Sequence, residues 1–90
     1  MPQITSQEIQ SLRKDLGLSQ IEFAQLFGSH FMTISKWERG LAAPSAYQET
    51  LLRQFQATAS AEKAKASEEV KALLLGAGVI SALLWLLSPR

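Results

Sequence analysis

The sequence predicts an all-α protein, and three observations carry the prediction. Apolar residues recur at three- and four-residue spacing along most of the chain. Three capping-box signatures, Thr5 with Glu8, Ser19 with Glu22 and Ser45 with Gln48, stand where those runs begin. Glycines at 17, 28 and 40 stand where they end.

Ninety residues allow one small domain with a marginal core. The chain has no cysteine and one histidine, which excludes disulfides, thiolate metal sites and any His or Cys cluster. No nucleophile stands with a paired base, and no glycine-rich phosphate loop has the required spacing, so an enzyme, a metal or a cofactor is not indicated. Up to Gln56 there are five basic residues (Arg13, Lys14, Lys36, Arg39, Arg53) and five acidic ones (Glu8, Asp15, Glu22, Glu38, Glu49). A neutral segment that binds a polyanion must do so by where its charges sit, with modest non-specific affinity and a need for dimerisation. The amino terminus carries no basic-then-apolar leader, which predicts a head that stays in the cytoplasm.

Taken in order, residues 1–4 form an arm. Thr5 and Glu8 then start a first helix that turns Ile9, Leu12 and Leu16 inward and closes at Gly17. Arg13 and Lys14 fall on its exposed side. Ser19 and Glu22 start a second helix, opened by Gln20, in which Ile21, Ala24, Leu26 and Phe27 recur at helical spacing up to Gly28. A third helix runs from about Phe31 to Arg39, with Ile34 and Trp37 inward and Gly40 as its stop. Helices this short are unstable alone and must pack against each other. Two of them joined by a tight turn make a helix-turn-helix, whose second member is built to enter the DNA major groove. Residues 41–44 form a loop. Ser45 and Gln48 begin a fourth helix whose Tyr47, Leu51, Leu52 and Phe55 close the core.

Residues 4 to 55 resemble the Cro/cI-type (XRE) helix-turn-helix family. The resemblance rests on Glu8-Ile9, Leu12-Arg13, Leu16-Gly17-Leu18-Ser19-Gln20, Glu22-Phe23-Ala24, the run from Thr33 to Gly40, and Pro44-Ser45. Within the family they look most like the antitoxin-like branch typified by the MqsA C-terminal domain and HigA-type antitoxins. The resemblance implies a compact four-helix, lambda-repressor-like head over residues 1–56 and binding to double-stranded DNA by a bacterial or phage regulator. It implies a phosphate contact for Gln20. On the third helix, Phe31, Met32, Ser35 and Lys36 point outward near the amino end. Lys36 can donate to guanine or to a phosphate, Ser35 bonds either way, and Phe31 and Met32 suit thymine methyls. Thr33 fits a phosphate, and His30, Arg13 and Arg39 are further phosphate candidates, each set against an ordinary surface role. Glu38 is expected to pair inside the head, with Arg13 as a partner. The family usually places a hydrophobic residue and then a Ser or Thr cap after the turn glycine; here Ser29 and His30 stand there, so either can cap the third helix.

Residues 57–71 are rich in Ala, Lys and Glu with almost no apolar face, which predicts an exposed helical spacer. Residues 72–90 then predict an apolar C-terminal helix: from Ala72 to Leu87 nothing is charged and Ser81 alone is polar. Sixteen residues rise about 24 Å, short of the ~30 Å hydrocarbon core, a gap that Lys71 and Arg90 could help bridge by snorkelling. Two settings stay open: a tail anchor on the cytoplasmic face of the inner membrane, or burial against a second copy or a partner.

The leading expectation is a sequence-specific DNA-binding transcription regulator, most simply a repressor, acting as a homodimer or higher homo-oligomer. An antitoxin with a toxin partner is a sub-case. The alternative is a membrane-tethered or oligomeric adaptor that uses the same head to bind another protein.

Overall fold

The computed structural model describes residues 3–88, apart from the side chain at position 64, and places six helices in them: α1 (Ser6–Asp15), α2 (Gln20–Gln25), α3 (Phe31–Glu38), α4 (Ala46–Ala61), α5 (Lys63–Gly76) and α6 (Val79–Leu87). Met1, Pro2, Pro89 and Arg90 lie outside the described residues, and with them the start of the expected arm and the Arg90 anchor.

All three capping boxes form, each with its hydroxyl accepting from the third helical N–H and the Glu or Gln side chain accepting from the cap N–H. They fix where α1, α2 and α4 start by satisfying donors that a helix end leaves free. The inward stripes are those the spacing predicts. Ile9, Leu12 and Leu16 of the first helix and its cap, Phe23 and Ala24 of α2, Ile34 and Trp37 of α3, and Leu52 and Phe55 of α4 are all buried. Phe27 joins them as a hub, edge-on to Phe23 at 5.1 Å and to Trp37 at 5.4 Å, and tilted on Phe55 at 5.5 Å. Two residues depart from expectation. Tyr47 is 74 % exposed and closes no core, and Ile21 faces outward at the start of α2.

The larger departures lie after Gln56. Residues 57–71 are not an exposed spacer. The fourth helix continues to Ala61, and Thr58 and Ala59 on it are buried. After a break at Glu62, α5 buries Ala66, Val70 and Leu74, a narrow stripe made mostly of small or short side chains. Nor do residues 72–87 form one helix. The chain leaves α5 at Ala77 and turns at Gly78, whose φ of 106° is open to glycine and strained for other residues. Then α6 folds back on α4 and α5 and buries Ala82 and Leu86. Thr58 Oγ1 donates to the Leu86 carbonyl at 2.6 Å inside this joint.

The tail is therefore two short helices and not one long apolar helix. Among the described residues no helix is long and apolar enough to cross a membrane. The nine residues of α6 rise about 14 Å, under half of a ~30 Å hydrocarbon core.

The head grips the tail at one further place. Gly17, φ 69°, sits where an added Cβ would lie 3.2 Å from Ser67 Cβ, so α5 passes hard against the α1–α2 turn. Lys71 Nζ donates to the Gly17 carbonyl at 3.3 Å and pairs with Glu22 at 3.5 Å. On the opposite seam, Arg53 and Gln56 of α4 both donate to Glu8 Oε2 of α1, at 3.2 and 3.3 Å.

Two outcomes follow. Thr58→Val keeps the shape but takes the donor from the buried Leu86 carbonyl. It is expected to lower stability by about 1–3 kcal/mol, seen as a lower urea midpoint with an unchanged slope. Glu8 and Glu22 are held below the ordinary carboxyl pKa of 4.5, first by the backbone N–H of Thr5 and of Ser19. A depressed folded-state pKa adds stability that is complete above the unfolded value and is lost as pH falls through the folded one. Melting temperature is therefore expected to drop on acidification below 4.5, and to drop less steeply in Glu22→Gln.

Candidate nucleic-acid interface

The interface is built by locking one side of α3 and freeing the other. Ile34 and Trp37, three apart, are buried and fix the rotation of the helix. Phe31, Met32, Lys36 and Arg39 are consequently exposed on the opposite side, with Thr33 and Ser35 half-buried at its margins.

The start of α3 is settled by His30. Its backbone is extended, and its Nδ1 accepts from the Met32 N–H at 3.2 Å, while the Ser29 hydroxyl turns back to the Phe27 carbonyl. Of the two candidate caps, His30 is therefore the one used. With Nδ1 accepting, the ring proton sits on Nε2, a donor that α3 itself does not use. The imidazole also lies on the Phe31 ring, centroids 4.7 Å apart.

Inside the motif, Glu38 is the pivot. Its side chain is 3 % exposed and takes a two-pronged ion pair from Arg13, Nε at 2.6 Å and Nη2 at 3.0 Å. The Gln20 amide adds a third donor at 3.2 Å, and Arg13 Nη1 also donates to the Leu18 carbonyl. One carboxylate thus ties α1, the α1–α2 turn, α2 and α3 together.

The sequence-derived site residues now divide. Phe31, Met32, Ser35, Lys36 and Arg39 share one face of α3, with His30 at its amino end. Arg39 folds back, its Nε donating to Ser35 Oγ at 3.1 Å. Gln20 stands at the start of α2, half-buried, with one amide N–H engaged by Glu38. The expectation that Arg13 meets a phosphate gives way, because its guanidinium is spent within the head. Pairing of Glu38 with Arg13 was legible; the part of Gln20 in that network was not, since a surface glutamine has no sequence signature for a buried partner. Ile21 was also missed as a surface residue, because helical spacing alone placed it with the core.

This arrangement defines a helix-turn-helix head: two short helices in contact, with Ala24, Ile34 and Trp37 buried and the second helix offering a free face. Residues 9–47 match the family model described as Helix-turn-helix. The matched segment is therefore similar to helix-turn-helix domains of the Cro/cI (XRE) type. The match runs from within α1 to the first residues of α4 and leaves α5 and α6 outside it. No curated protein and no solved structure matches the chain.

If Glu38 is the pivot, removing one partner should cost more than removing both. Arg13→Met leaves a buried carboxylate without its cation and is expected to lose about 3–5 kcal/mol. The double variant Arg13→Met with Glu38→Met should recover much of that loss in the same denaturant titration.

Proposed function

We propose that the protein is a sequence-specific DNA-binding repressor that occupies its operator with α3 in the major groove. The observation that supports this best is the locked rotation of α3 within the family-matched segment. It presents Phe31, Met32 and Lys36 outward at the end of the helix where base edges are reached. In this reading Lys36 donates to guanine O6 or N7, and Phe31 and Met32 contact thymine methyls. Gln20, through its second amide N–H, and Thr33 hold phosphates, as does His30 through Nε2. Ser35 and Arg39 join them by exchanging their mutual hydrogen bond for DNA. The head is neutral, so one copy binds weakly. A homodimer places two α3 helices about 34 Å apart, in successive grooves on one face of the duplex. Such a regulator works in the cytoplasm, where the chromosome lies, and an antitoxin whose partner is a toxin is the same chemistry in a particular genetic setting.

A second reading has its own observation. Ile21, Phe31 and Met32 are exposed apolar side chains on the helix-turn-helix, a composition that also suits an adaptor docking a protein.

The deciding experiment selects duplexes from a random library with the full chain, then measures affinity by anisotropy across a salt series. An enriched sequence is expected. Lys36→Ala should weaken binding by about 1–3 kcal/mol if it reads a base, or lower the salt slope by about 1 if it holds a phosphate. No enrichment, or a Lys36→Ala variant with unchanged affinity and slope, overturns the DNA reading in favour of the adaptor.

A further inference from the structure

The fold leaves α6 with two apolar faces. Val79, Ala82, Leu83 and Leu86 turn toward α4 and α5, while Ile80, Leu84 and Leu87, at i, i+4 and i+7, turn away. The outward stripe is bare: Ile80 is 73 % and Leu84 65 % exposed, and Leu75, just before the α5–α6 corner, is 69 % exposed. The corner is open at Gly76, where an added Cβ would meet nothing within 4 Å.

We infer that this outward face of α6 is the surface through which two copies of the chain pair. Three features favour a second copy over other occupants. A two-fold interface sets a patch against itself, so an uncharged apolar patch is complementary to its own copy; residues 72–88 contain no charged residue. Lipid is disfavoured by the same fact, because a helix lying in a membrane surface carries Lys or Arg on its polar face. The extent is also right. A small specific interface needs roughly 500 Å² from each partner, about a tenth of the 5253 Å² accessible surface. Four large apolar side chains with exposed Ala72, Gly76 and Ala77 beside them provide a patch of that order.

This deepens the two-headed part of the proposed function by naming the surface that joins the heads. Its test reads mass and not DNA, so either reading can fail alone. Sedimentation velocity of the full chain from about 1 to 100 μM is expected to show a dimer. Ile80→Lys with Leu84→Lys should keep the wild-type helicity, since both positions face solvent in one copy. That variant should dimerise at least about 30-fold more weakly. Mixing it with Ile80→Glu, Leu84→Glu should restore a heterodimer, which a misfolded variant could not do. A monomeric wild type overturns the inference, as does a lysine variant that still pairs normally or a charge-swapped mixture that stays monomeric. A monomeric wild type that sediments with phosphatidylcholine vesicles overturns it too, and assigns the face to lipid.

Discussion

The buried carboxylate of Glu38 is the constraint on which the head depends. A charge nearly shut off from water is tolerable only if donors replace the lost hydration. Arg13 supplies two of them and Gln20 a third, from two other helices. Satisfying the carboxylate therefore requires α1, α2 and α3 to stand in one relative arrangement. Apolar packing of Ile34, Trp37 and Phe27 favours that arrangement but would tolerate small slips. A bidentate guanidinium tolerates far fewer, because its fork fits a carboxylate in one plane. The free face of α3 inherits its aim from this fit. The residue that would read DNA and the residue that fixes its direction are only two apart, Lys36 and Glu38, on one short helix.

A second constraint is size. Helices of six and eight residues cannot be stable on their own, and a four-helix head of this length has little interior. The tail enlarges it. Lys71 bonds the carbonyl of Gly17 and pairs with Glu22, whose carboxylate already caps α2 through Ser19. The start of α2 is thus braced from outside the motif. Thr58 and Leu86 close the far end of the tail on α4. The segment beyond the family match serves as structural support for the part within it.

Legibility in the sequence followed the range of the interactions. The three capping boxes are local, set by residues three apart, and were readable as such. The buried stripes of α1, α3 and α4 repeat strongly enough to be read from spacing. Ile21 and Tyr47 were not, because each lies at the edge of its stripe, where spacing cannot say whether a partner covers it. The tail was misread for a more specific reason. The stripe of Ala66, Val70 and Leu74 is narrow, and its alanine resembles the solvent-facing alanines around it until a neighbouring helix is brought against it. The break at Gly78 is likewise invisible in a run of uniform hydropathy. Glycine there permits a turn, but only the chance to pack α6 against α4 and α5 makes the turn worth its conformational cost.

At the site, sequence reasoning placed the outward residues of α3 correctly on one face because Ile34 and Trp37 define the other. It could not choose the cap. Ser29 is the better cap by propensity, yet His30 holds the position, because Phe31 begins the helix and an Nδ1 acceptor reaches the Met32 N–H. The choice sets the register by one residue. Were Ser29 the cap, each residue of α3 would sit one place further from the helix start. Because the cap is instead an imidazole, the amino end of α3 carries a ring with a spare N–H donor beside Phe31. A serine cap would spend its small side chain on the backbone and leave nothing to reach outward. The less favourable cap therefore adds a polar group at the edge of the free face, in a head whose overall charge gives a polyanion little else to hold.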